Sequence, residues 1–234
     1  YIDLKFRGLG VYKILESKIR SSYNLKFGIP NNSAMKIHQY AGWQVHDNNK
    51  IFAIPLKMQI NKGFIISIGT FFLGYMFRLK YLYYNSQGAH KINFPMIDTL
   101  VKVEEFNLDR NSRIIRDKEF LKWRYFDSPM KDDFIFYQSG FDKKIILIAR
   151  KIQSGNYIRV LDILGDYSNS LALSDLLKYC IHDACVNHFS KVTILSSLEY
   201  FDKIYKKVGF LFVSKSRFCW HSNNDKIEIK HINI

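Results

Sequence analysis

A chain of 234 residues with 47% apolar and 24% charged residues has the balance of a folded globular protein, which excludes a disordered polyelectrolyte. The formal net charge of +14 suits a polyphosphate cofactor, an anionic membrane surface or nucleic acid, and equally a solvated basic surface with no specific partner. Three cysteines, Cys180, Cys185 and Cys219, provide neither a disulfide framework nor zinc-knuckle spacing, so they read as reduced core residues of a cytoplasmic protein.

In chain order, the short alternating run at residues 1–6 predicts a strand. A glycine-rich turn follows at residues 7–10. Val11, Ile14, Leu15 and Ile19 then recur at helical spacing. Residues 25–29 predict a strand stopped by Pro30, and residues 31–33 can cap a second helix that Gly42 ends. Residues 51–56 are β-like. Residues 63–77 are uncharged and mostly apolar, shorter than the ~20 residues a membrane span needs, and read as a bridging helix with a membrane-surface patch as the rival. Residues 100–106 predict a strand closed by a solvated Glu104-Glu105 pair. Residues 116–126 predict a helix, broken by Pro129, that packs Phe120, Leu121 and Trp123 into the core. Strands at 134–138, 144–148 and 158–164 follow, joined by turns around Gly140 and Gly155. A long helix at 171–188, a strand at 192–195, a helix at 198–208 closed by Gly209 and a strand at 211–220 complete the order. Residues 25–43 and 192–212 share one pattern: apolar strand, polar break, helix, then Gly-Trp or Gly-Phe entering a strand.

The sharpest motif is Arg7-Gly8-Leu9-Gly10-Val11-Tyr12, after a strand and opening a helix. Glycines let a backbone approach a ligand closely, and a helix start offers unpaired N–H groups, so the turn suits phosphate or pyrophosphate. It is neither a Walker A loop nor a Rossmann fingerprint. Its place so near Tyr1, a start without Met, leads us to expect a fragment. The turn at the same place in the second half, Gly165-Asp166-Tyr167-Ser168-Asn169-Ser170, has no such glycine pattern, and Asp166 opposes phosphate. His182 and His188 lack metal-ligand spacing, and no metal site is expected. The basic residues form no dense run and carry no zinc-finger or RNP-type signature, which argues against nucleic acid.

These motifs resemble the GNAT superfamily of acyl-CoA-dependent N-acyltransferases, whose loop reads Arg/Gln-x-x-Gly-x-Gly/Ala. Arg7, Gly10 and Tyr12 stand at those positions, and Tyr12 departs from the small final residue. The family's next unit carries Asn-x-x-Ala-x-x-x-Tyr-x-x-x-Gly-Phe, matched here by Asn31, Ala34, His38, Gly42 and Trp43. The resemblance implies that amides from Gly8 to Tyr12, Leu9 and Val11 included, hold the pyrophosphate of acetyl-CoA or another acyl-CoA. It implies that Asn31 contacts the pantetheine arm and that His38 replaces the acid Tyr. In the second half Tyr205, four residues before Gly209, stands where that Tyr does. The run Arg116-Asp117-Lys118-Glu119-Phe120-Leu121-Lys122-Trp123-Arg124-Tyr125 with Pro129 looks like a stretch of tandem GNAT proteins from bacterial polysaccharide assembly.

The fold expected is α/β: tandem GNAT-like mixed sheets flanked by helices, the first unit truncated at its N-terminus. Residues 1–57 would end the first unit, 58–97 would link, and 98–234 would form a second, degenerate unit. The function implied is transfer of an acyl group, acetyl in the simplest case, from acyl-CoA to a small-molecule amine such as an amino sugar, in the cytoplasm or peripheral to the membrane. Two rivals remain open: an aminoacyl-tRNA-dependent transferase of the FemABX kind, and a non-catalytic membrane-surface scaffold.

Overall fold

The computed structural model describes residues 14, 18, 25–28, 32–57, 64–104, 116–140, 144–166 and 168–222. These fall into two compact units, one taking residues up to Asn49 and from Lys215, the other Lys50–Ser214.

In the first unit, β1 (Leu25–Gly28) leads to α1 (Asn32–Tyr40) and β2 (Gln44–Pro55), which continues into the second unit. β1 pairs antiparallel with the end of β8 (Leu211–Ser222), from Leu25↔Ser222 to Gly28↔Cys219. Met35 buries the inner face of α1. The helix ends where Gly42 takes φ 82°: its amide bonds the Gln39 carbonyl at 2.9 Å, and the Trp43 amide bonds the His38 carbonyl at 3.0 Å. That pair of bonds satisfies carbonyls the last turn would leave open.

The second unit holds α2 (Phe64–Leu82), β3 (His90–Ile92), α3 (Ile97–Glu104) and α4 (Lys118–Leu121), the last continued by a π-helical turn (Lys122–Phe126). There follow β4 (Phe134–Gln138), β5 (Ile145–Ile152), β6 (Tyr157–Gly165), α5 (Ser170–Val186), β7 (Lys191–Ser196) and α6 (Glu199–Val208). Its strands lie in the order β2-β7-β6-β5-β4-β3, antiparallel except for the parallel pair β6 and β7. Helices cover both faces. On one, Ile145, Leu147 and Ala149 of β5 pack with Leu173, Leu176 and Cys180 of α5. On the other, Ile146 and Ile148 pack with Leu100 and Val103 of α3 and Leu121 and Tyr125. A strand buried on both faces reads as a continuous apolar run, which is what Ile-Ile-Leu-Ile-Ala is. The loop feeding β3 is tied to α5 by Asp175, which accepts hydrogen bonds from Tyr84, from Ser86 Oγ at 3.1 Å, and from the Gln87 and Ala89 amides at 3.1 and 3.2 Å.

The strand expected at 100–106 is instead helical through Glu104, the end of the described stretch. Leu100, Val103 and Glu104 are buried at i, i+3 and i+4, a helical spacing that a short apolar run also offers to a strand. Glu104 is buried, not solvated. Trp123 is 66% exposed rather than in the core, because Leu121 and Tyr125, four apart, form the inward face of the turn. The repeated pattern has a geometric counterpart. β1-α1-β2 and β7-α6-β8 have the same element order, and α6 closes as α1 does, with Gly209 bonding the Lys206 carbonyl and Phe210 that of Tyr205.

Candidate functional site

Parallel β6 and β7 pair only at Ile158↔Val192, Arg159↔Thr193 and Val160↔Ile194, although β6 runs on to Gly165 and β7 to Ser196. The parting has a local cause. Against β5, Val160 faces Ala149 and Asp162 faces Ile148, so Leu161 is one residue in excess. Such a bulge bends its strand and increases the twist at the point where the neighbour is lost. It also shifts the alternation. Ile158 and Val160 before it belong to the core under α5, whereas Leu164 after it belongs to the core under α3 and α4.

Between the parted strands lies a pocket of about 70 Å³. Leu161, Asp162 and Ile163 of β6 line one wall and Leu195, Ser196 and Ser197 the other, with Arg116, Phe201 and Tyr205 closing it. Because the bulge turns Asp162 to the α3 side, its carboxylate meets Arg116: Nη2 to Oδ1 at 2.7 Å and Nε to Oδ2 at 3.1 Å. The Tyr125 hydroxyl donates to the same Oδ2 at 2.9 Å and receives a bond from Arg124 Nε at 3.1 Å. Glu104 completes the cluster, 3.7 Å from Arg116 Nη1 and accepting the Gly165 amide at 3.3 Å. Burial alone would lower the Arg116 pKa, but Asp162 and then Glu104 outweigh it and hold the guanidinium charged. Burial, and then Asp162, push the Tyr125 hydroxyl well above its ordinary value. This cluster was missed in the sequence. Its signal was an Asp inside the apolar run Val160-Leu161-Asp162-Ile163-Leu164, a charge that burial obliges to find a partner.

Tyr205 comes to the pocket on α6, its ring stacked on Phe201 at 5.8 Å between centroids and edge-on to Phe52 at 5.9 Å. Burial, then the nearby Asp202, raise its pKa, so the phenol keeps its proton near neutral pH and has it to donate. Asp202 is itself buried and pairs with Lys50. His38 lies in the other unit, in the last turn of α1, half-buried and edge-on to Trp43 at 4.6 Å. His38 and Tyr205 occupy the same place in their helices: each lends its carbonyl to the aromatic residue that follows the closing glycine. Arg7, Gly8, Leu9, Gly10, Val11, Tyr12 and Asn31 lie outside the described residues.

The turn leaving β6 is unlike a phosphate cradle. Asp166 Oδ1 accepts from the Ser168 amide at 3.1 Å, and Asn169 Oδ1 caps α5 through the Ala172 amide at 3.1 Å. The helix start is thus occupied by its own side chains, with an acidic group beside it. Among the described residues, no three His, Cys, Asp or Glu side chains gather as metal ligands.

No family model and no curated protein matches this sequence. Solved structures match it in fold. A conserved protein of unknown function from Staphylococcus epidermidis aligns at 9% identity and a TM-score of 0.56, over 95% of this chain and 82% of the other. A GCN5-related N-acetyltransferase from Sphaerobacter thermophilus aligns at 12% identity and a TM-score of 0.50, over 97% and 73%. A conserved protein from Enterococcus faecalis, described as a probable N-acyltransferase, aligns at 10% identity and a TM-score of 0.57, over 94% of this chain but 52% of the other. The chain therefore spans about half the length of that last protein. At these identities the likeness is one of fold: a mixed α/β sheet flanked by helices, shared with GCN5-related N-acetyltransferases.

Proposed function

We propose that the protein transfers an acyl group, acetyl in the simplest case, from acyl-CoA to a primary amine. The observation that carries the reading is the parted pair β6 and β7, a slot in which the facing edges of the two strands past Val160 and Ile194 do not pair with each other. An extended thioester arm can enter such a slot, and a strand amide there can donate to the oxyanion that forms when the amine attacks. The amine nitrogen bonds to the carbonyl carbon, the C–S bond breaks, the nitrogen loses a proton and the thiolate gains one.

At the slot Tyr205 gives the thiolate its proton. By resemblance the first half has a cradle of its own, with the pyrophosphate on the amides of Gly8 to Tyr12 beside Arg7, Asn31 at the pantetheine arm and His38 as its acid. The second unit, with its acidic, self-capped turn after β6, keeps the slot and Tyr205 but not the phosphate cradle. The resemblance of the Arg116–Tyr125 run suggests an amino sugar, free or nucleotide-linked, as acceptor.

The test is release of free thiol from acetyl-CoA with a panel of amino sugars, alongside calorimetric binding of acetyl-CoA, on the longest natural form of the chain. Gly10→Asp places a side chain and a like charge in the cradle and is expected to abolish binding. Tyr205→Phe is expected to spare binding. Unchanged affinity in Gly10→Asp would overturn the assignment of the cradle, and no binding by the parent would leave the aminoacyl-tRNA reading in its place.

A further inference from the structure

Helix α2 has two faces of different kinds. Inward, Gly74 lies against the Leu56 and Lys57 backbone, Phe77 reaches Gly209, and Tyr81 is buried with its hydroxyl on the Val208 carbonyl. His182 Nδ1 also meets the Tyr81 carbonyl at 2.9 Å. Outward, Phe72, Leu73, Tyr75, Met76, Leu79 and Tyr83 are 41–81% exposed, and among the exposed positions from Phe72 to Tyr83 only Lys80 is charged. The face they form recurs at 72, 76, 79 and 83, a helical stripe. An apolar stripe of this length on an outer helix marks an interaction surface.

The charge pattern names the occupant. Residues 48–97 contain no Asp or Glu, although an even spread of the chain's 21 acidic residues would place about four there. Of its cations Lys50 pairs with Asp202 and Lys91 with Asp183, while Arg78 and Lys80 stand on α2 itself. Apolar and tyrosine side chains beside Arg78 and Lys80, on a helix that carries no acidic residue, fit an anionic bilayer surface, where the aromatic hydroxyls and ammonium groups stay at headgroup depth. We propose that α2 docks this protein on anionic phospholipid membranes, lying in the plane of the interface. It does not span: among the described residues no helix is long and apolar enough to cross a membrane, and the Gly74-Phe77-Tyr81 side is held by the protein.

Co-sedimentation with phosphatidylcholine vesicles, with and without phosphatidylglycerol, tests this at about 0.1 M and about 1 M NaCl, which shorten the Debye length from about 10 Å to about 3 Å. The parent is expected to prefer the anionic vesicles and to keep a substantial part of its binding at the higher salt. Phe72→Glu/Met76→Glu, both at exposed positions, is expected to lose at least about tenfold at either salt with an unchanged melting temperature. Lys80→Glu should weaken binding about fivefold or more at low salt only. Three results would overturn the proposal: no binding by the parent, complete loss of binding at high salt, or a double variant that binds like the parent. A parent dimer that the double variant converts to a monomer by light scattering would assign the face to a second copy instead.

Discussion

Removing the Asp162 carboxylate tests the buried cluster beside the pocket. Asp162→Ala deletes the acceptor of two Arg116 bonds and the Tyr125 bond, and leaves a guanidinium of 9% side-chain exposure with Glu104 at 3.7 Å as its remaining anion. Stranding one member of a buried ion pair costs about 3–5 kcal/mol, and the surviving Glu104 places the loss near the lower end, about 3 kcal/mol. For a unit of this size each kcal/mol lowers the melting temperature by about 2–4 °C, so a fall of about 6–12 °C is expected in thermal denaturation followed by circular dichroism. Asp162→Asn keeps the shape and one acceptor oxygen but loses the charge, and should fall between the parent and the alanine variant. The double variant Arg116→Met/Asp162→Leu removes both charges, and much of the loss should return, because an apolar pair of similar volume needs no desolvated charge. A fall of less than about 3 °C for Asp162→Ala, or a double variant no better than the single one, would refute the reasoning.

Gly165→Ala should cost at least about 2 kcal/mol in urea denaturation, since its φ of 96° disfavours any L side chain and a Cβ there would stand 1.8 Å from the Lys144 carbonyl oxygen. Stability should also fall at high pH. Burial, and then Cys185, raise the Tyr81 pKa from 10.0 to about 12, so the folded state holds that proton more tightly than the unfolded one. Its contribution is complete below pH 10 and is lost as pH rises through about 12, and Tyr81→Phe should flatten that part of the melting-temperature profile.

The sequence spoke most clearly where one physical signal was enough. The unbroken run Ile145-Ile146-Leu147-Ile148-Ala149 reads as a strand and is one, buried on both faces, and Gly209 after a helical stripe reads as its stop and is one. It misled where two periods fit the same residues: Leu100, Val101 and Val103 satisfy a strand and a helix, and burial of Glu104 with Leu100 and Val103 decided for the helix. The site was half legible. Tyr205 was placed by its distance to Gly209, but its separation from His38 into another compact unit depends on contacts between distant segments. The bulge at Leu161 left no trace, because Val160, Asp162 and Leu164 keep an even spacing while their side chains change sides.

That change of sides gives the second half of β6 two anchorages. Before Leu161 the strand is fastened through Ile158 and Val160 to the layer under α5; past it Ile163 stays on that layer while Asp162 and Leu164 join the layer under α3 and α4. The slot wall is thus clamped from both faces of the sheet, so a substitution at Arg116 or Tyr125 loosens one clamp and leaves the other in place.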